Sequence, residues 1–205
     1  MHEQLDPDEV AEAYFSVGTN DRPEYARLLI RAGSRAVFPL LHALLDLTLK
    51  YKHYADKIAR ASEDAVFGEE SGRYMLAKAT FEPEVESAYD VIRRIGQPAK
   101  TELCRALLER DYRMRLAAAL LLSMDETPSS ETQNRIRESL SFLADPSQSL
   151  ILMLLGIVML RAGDAKWRQV IDNHAGDSGL SLQEWIERTT NTALIELQSG
   201  TEATS

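Results

Sequence analysis

Cysteine is almost missing from this sequence. Cys104 stands alone, so no intramolecular disulfide can form, and no CxxC or Cys/His pair has the spacing of a metal site. A reducing cytosol suits such a chain, and a cytoplasmic location is the expectation. The opening residues, Met1-His2-Glu3-Gln4-Leu5-Asp6-Pro7-Asp8-Glu9, are acidic and lack the basic region and apolar stretch of a secretory signal. Long apolar runs are lacking as well. Leu150 to Leu160 covers 11 residues, well short of the roughly 20 that cross a bilayer, so it reads as a central helix covered by protein on all sides, and no membrane partner is expected. Positive charge is in short supply: 23 Lys and Arg stand against 32 Asp and Glu, a net charge of -9 that repels a phosphate backbone and disfavours nucleic acid. Strand signals are nearly absent. The 44% hydrophobic content is nonetheless enough for a substantial core, which excludes a disordered chain.

Helix punctuation is plentiful. Asp6-Pro7-Asp8-Glu9 sets a capping acid before a first-turn proline and opens a short helix through Val10, Ala13, Tyr14 and Val17. A second helix begins near Pro23 and stops at Gly33. The segment from Gly33 to Asp46 recurs, ungapped and 63 residues later, as Gly96 to Glu109. Leu40, Ala43 and Leu44 match Leu103, Ala106 and Leu107, an i, i+3, i+4 stripe on one helix face. One divergent unit is expected between them, with helices at Tyr51 to Ala65 and Gly72 to Phe81. Downstream, Asp111 opens a helix, Ser130 caps another, Asp145-Pro146 opens the apolar helix that ends at Ala162-Gly163, and Asp164 caps its partner. After a loop at Asn173 to Gly179, a capping box of Ser181 with Glu184 starts a last helix bearing Trp185.

These residues resemble HEAT repeats, in the HEAT-like form found in many bacterial proteins. Glu82-Pro83-Glu84-Val85, Ala88, Ile92 and Ile95-Gly96 match the first helix of the family pattern. Leu103, Ala106 and Leu107, then Asp111, Met114, Arg115 and Ala117 to Ala119, match the second helix and the next start. The resemblance is good from Phe81 to Met124, fair over Pro23 to Asp46 and Ser139 to Asp172, and poor over Lys50 to Thr80 and beyond Gly176. It implies an all-α fold: a short right-handed α-α superhelix of about four to five helix pairs, with a divergent second unit and a C-terminal cap helix. One domain over residues 1–198 is expected, followed by a flexible tail at 199–205. Gly33, Pro83, Val85, Gly96, Asp111, Arg115 and Gly163 are then structural repeat positions. The resemblance places Asp111 and Arg115 in a ladder of charges between neighbouring units.

The chemistry-bearing candidates are sparse. His42 and Asp46 are spaced i, i+4 and could share a metal or a proton. With no third ligand at helical spacing, a surface pair is the favoured reading. HEAT-like hydroxylases carry paired His-Glu ligands, and here His2-Glu3 is the one such dipeptide; His53 and His174 lie far from it. No metal and no cofactor is expected. Cys104, beside Leu103 with no histidine near in sequence, reads as a buried thiol rather than a nucleophile. Lys50-Tyr51-Lys52-His53-Tyr54 could stack bases, but helical spacing favours packing.

Charge is unevenly spread, with +5 over residues 27–60 and +4 over 93–115 in an otherwise acidic chain. Two basic segments at repeat-related positions suit an acidic peptide, set against the plainer expectation of cations paired around solvated faces. The sequence therefore leads to a non-catalytic protein-interaction scaffold that presents a concave helical surface to another protein, one with an acidic segment. Arg35, His42, Arg105 and Arg110 are the contact candidates. The alternative is a HEAT-like enzyme or nucleic-acid-binding protein, DNA glycosylase-like or phycobilin lyase-like, using the basic residues of 27–60 and 93–115. Self-association as a homodimer is a third class.

Overall fold

The computed structural model of the protein describes residues 6–16, 21–48, 79, 81–140, 142–143 and 149–199. Among these residues the regular structure is entirely helical. The chain divides into two compact units, Met1–Glu102 and Leu103–Ser205.

In the first unit α1 (Pro7–Ser16) packs on α2 (Arg22–Ala32), and α2 packs on α4 (Glu82–Ile95). Between α2 and α4 come a 3₁₀ turn, Gly33–Ala36, and the helix α3 over 37–48. Proline lies in the first turn of α2 and of α4, where its missing N–H costs no helical bond. Gly33 and Gly96, the pair related by the 63-residue interval, both end helices with almost the same backbone: φ 66° and ψ -139° at Gly33, φ 81° and ψ -145° at Gly96. Only glycine adopts that region readily, so the recurrence of glycine in the sequence is a recurrence of geometry. Val85, Ala88, Val91 and Ile92 form the buried stripe of α4. A polar cluster ties three helices together. Tyr14 donates to the Ser87 carbonyl at 3.1 Å, Arg22 Nη2 donates to Glu84 Oε1 at 3.1 Å with Nη1 3.0 Å from Oε2 in the same ion pair, and the Arg22 guanidinium lies 5.5 Å from the Tyr14 ring centre. Burial pushes the Tyr14 phenol above its ordinary value.

Helix α5 (Gln97–Ala106) carries the boundary between the units. In the second unit α6 (Tyr112–Ser123) is buried along nearly its whole length. It packs on α8 (Ser149–Arg161), which also meets α7 (Ser130–Leu140), α9 (Ala165–Asp177) and α10 (Leu182–Ser199). Such all-round apolar character belongs to a core helix. The cover on α8 is incomplete, however: Leu152 and Met153 line an open pocket, so protein does not close over every side of it. Arg161 reaches back to donate to the Ser123 carbonyl at the end of α6. Tyr112 donates to Glu196 at 2.7 Å and Arg113 to the Leu197 carbonyl at 3.2 Å, which latches α10 to the start of α6.

Two boundaries differ from expectation. The residue that caps α7 is Ser129, whose hydroxyl accepts from Thr132 N at 3.2 Å, while Ser130 is already helical. Helix α9 runs on to Asp177 where a loop was expected from Asn173, because nothing before Gly179, with its φ of 68°, forces the backbone out of the helix. Leu150–Leu160 lies in the strongly apolar α8, and a longer helical stretch with few charges lies in the first unit. Arg22–Thr48, counted through the 3₁₀ turn, is 27 residues and passes the length and composition test for a membrane span. The most apolar part of it is 44% buried inside the protein, and Leu29, Val37, Leu40, Leu41 and Leu44 are core residues. The expected divergent repeat at 50–80, the Asp145-Pro146 start and the tail lie outside the described residues, apart from position 79 and the end of α10.

Candidate functional site

The four contact candidates fall into separate units. Arg35, in the 3₁₀ turn, and His42, on α3, are exposed residues of the first unit; Asp46 is exposed too. Arg105 and Arg110 are exposed residues of the second unit and flank one turn.

That turn is built tightly. The sequence stripe of Leu103, Ala106 and Leu107 continues past the end of α5 at Ala106, and all three residues are fully buried. The backbone then tightens: Leu108 N bonds to the Arg105 carbonyl at 3.0 Å and Glu109 N to the Ala106 carbonyl at 3.2 Å. Tightening shifts the next side chain off the buried face, and Leu108 is left 54% exposed. Two residues from the opening of α6 hold the turn in place. Asp111 caps α6 by accepting from Arg113 N at 2.8 Å. Arg115, one turn further on, sends Nη1 back to the carbonyls of Glu109 at 2.7 Å and Arg110 at 3.1 Å, with its guanidinium 5.8 Å from the Tyr112 ring centre. Both structural residues thus act within one helix and the turn before it. The result is a large apolar side chain between two exposed arginines, a composition typical of contact surfaces. Leu108 was missed in the sequence because it follows two buried stripe residues, and only the end of the helix at Ala106 reveals its direction.

A second feature was not legible. A cavity of about 300 Å³ is lined by Ser149, Leu152 and Met153 of α8, Trp167, Val170, Ile171 and His174 of α9, and Trp185 of α10. The α9 residues recur at i, i+3, i+4 and i+7, one helical face. Asp164 starts that helix by accepting from Lys166 N and Trp167 N at 3.1 and 3.3 Å. Its carboxyl is held below the usual range first by the Arg137 guanidinium 3.1 Å away. The α10 side is set by Ser181 and Glu184, which cap reciprocally: Glu184 accepts from Ser181 N at 2.8 Å and Ser181 Oγ from Glu184 N at 3.3 Å. Gly156 lies behind the Trp167 side of the lining. A Cβ there would come 2.8 Å from the Trp167 ring, so its absence lets the indole lie against the α8 backbone. His174 is exposed and its ring runs nearly parallel to that of Trp185, 19° apart with centres separated by 6.4 Å.

Cys104 is buried, and burial pushes its thiol up to about 12, far from the reactive range. Among the described residues no three His, Cys, Asp or Glu side chains converge as a metal site. His2, Glu3, His53 and the Lys50-Tyr54 segment lie outside the described residues. No family model, no curated protein and no solved structure matches the chain.

Proposed function

We propose that the chain is a non-catalytic protein-interaction module of HEAT-like architecture. In this reading its helix pairs stack as a short right-handed superhelix in the cytoplasm, and its partner is a protein with an acidic segment. The observation that supports it is the turn at 107–110: Leu108, 54% exposed, sits between the exposed Arg105 and Arg110 on a backbone fixed by Arg115. A partner's apolar side chain would cover Leu108, while its carboxylates would meet the two guanidinium groups in the fork geometry that arginine offers. Charge there contributes mainly to selection and approach rate. The test is affinity enrichment from native lysate with mass spectrometry, comparing the unaltered chain with Arg105→Glu/Arg110→Glu and with Leu108→Ser. The expected result is one set of partners lost from both variants. Recovery of the same partners by all three forms would remove this turn from the contact surface.

A further inference from the structure

We propose that the second unit also binds a small, flat, uncharged aromatic molecule in the cavity between α8 and α9. The volume of about 300 Å³ is at the small end of ligand pockets, which run from roughly 300 to 1,000 Å³. It suits a fused two-ring compound rather than an extended chain. The lining fixes the chemistry. Trp167 and Trp185 offer π faces, and Met153, Val170 and Ile171 offer apolar contact, with a polarisable sulfur among them. Among the described residues the lining holds no Lys, Arg, Asp or Glu, so a charged ligand would be desolvated there without a partner. A neutral one needs no more than the hydrogen bonds that the His174 imidazole can give or take at the rim. The His174 and Trp185 rings run nearly parallel, 19° apart, an orientation that a flat third ring can share. Gly156 sets the place of the other indole, since the Trp167 ring lies where a Cβ at that position would come within 2.8 Å of it.

The chain has two tryptophans and both line the cavity, so tryptophan emission, excited apart from that of the seven tyrosines, arises at this site alone. The experiment titrates the full chain with the neutral fused two-ring probe 2-naphthylamine, which absorbs where tryptophan emits, and follows tryptophan emission and probe emission together. Saturable transfer from tryptophan to probe at one site per chain is expected. Val170→Glu, which puts a charge into the lining from a position that is 38% exposed, should weaken binding at least about tenfold with the helical circular dichroism unchanged. Gln169→Glu places the same charge on an exposed neighbouring residue outside the lining and should bind as the unaltered chain does. Gly156→Ala, whose Cβ would come 2.8 Å from the Trp167 ring and so displaces one of the two indoles from its place in the lining, should also weaken binding, so the test does not depend on how well Val170→Glu folds. Absence of saturable transfer would overturn the proposal. So would equal affinity in Val170→Glu and Gly156→Ala, or an equal loss in Gln169→Glu. None of these outcomes bears on the turn at 107–110, which shares no residue with the cavity.

Discussion

Replacing Arg115 by alanine isolates the device that holds the 107–110 turn. The guanidinium gives two hydrogen bonds to main-chain carbonyls, at 2.7 and 3.1 Å. A hydrogen bond from a charged group contributes about 1.5–3 kcal/mol, which would put the pair at about 3–6 kcal/mol if both were fully shielded. Two facts reduce that figure. The carbonyls belong to exposed residues, where water replaces a lost donor, and Arg115 Nε is buried without a hydrogen-bond partner, an internal cost that alanine removes. Loss of the arginine over the Tyr112 ring adds back about 0.5 kcal/mol. The net expectation is a destabilisation of about 2 kcal/mol. For a chain of 205 residues that corresponds to a fall in Tm of roughly 4–8 °C. Urea unfolding monitored by circular dichroism would give the free energy, and native-state hydrogen exchange would locate it. The amides of Leu108 and Glu109 should exchange faster in the variant, while those in the middle of α6 change only by the global loss. Protection of Leu108 and Glu109 that stays unchanged, or a loss below about 0.5 kcal/mol, would refute the assignment of Arg115 as the residue that fixes the turn.

Three further outcomes test other parts of the structure. Gly96→Ala forces a side chain onto a φ of 81° and should cost about 1–2 kcal/mol by urea unfolding, and Gly33→Ala at φ 66° should cost a similar amount; a smaller effect at both would break the equivalence of the two caps. Burial, and then the bond to Glu196, raise the Tyr112 phenol above its ordinary value, so the folded state favours the protonated form. That stability is complete below the unfolded value of about 10 and is lost as pH climbs above it; Tyr112→Phe should flatten the alkaline fall in unfolding free energy, and an unchanged slope would contradict the assignment. Cys104, buried and with its thiol up near 12, should resist iodoacetamide in the native protein and react readily in urea. Fast native labelling would show that the thiol is accessible.

Local features of the chain were legible because they are written in neighbouring residues. Asp111, Asp164 and the Ser181-Glu184 box cap the helices they were read to cap, and Gly33 and Gly96 end helices with matching backbones. Reading failed where the outcome is set at a distance or by a competing preference. Ser129 and Ser130 are adjacent candidates for one cap, and sequence alone does not choose between them. Leu107 and Leu108 are chemically identical neighbours, one fully buried and the other 54% exposed, separated only by the tightening of the chain after Ala106. The cavity is less legible still. Trp167 and Trp185 belong to different helices, each reads as an ordinary packing residue, and only the packing of α9 and α10 on α8 brings them to one pocket. Over residues 93–115 the plainer expectation of cations paired around solvated faces is met in part: Arg93 and Arg94 both pair with Asp90, while Arg115 is committed to carbonyls.

The central claim, that the 107–110 turn is where another protein sits, is tested most directly by photo-crosslinking. A photoreactive phenylalanine analogue at position 108 would be irradiated in native lysate beside one at the exposed position 183 on α10. The account predicts a discrete adduct from position 108 alone, abolished when Arg105→Glu and Arg110→Glu are added. The same adducts from both positions, or an adduct from position 108 that survives the charge reversal, would contradict it.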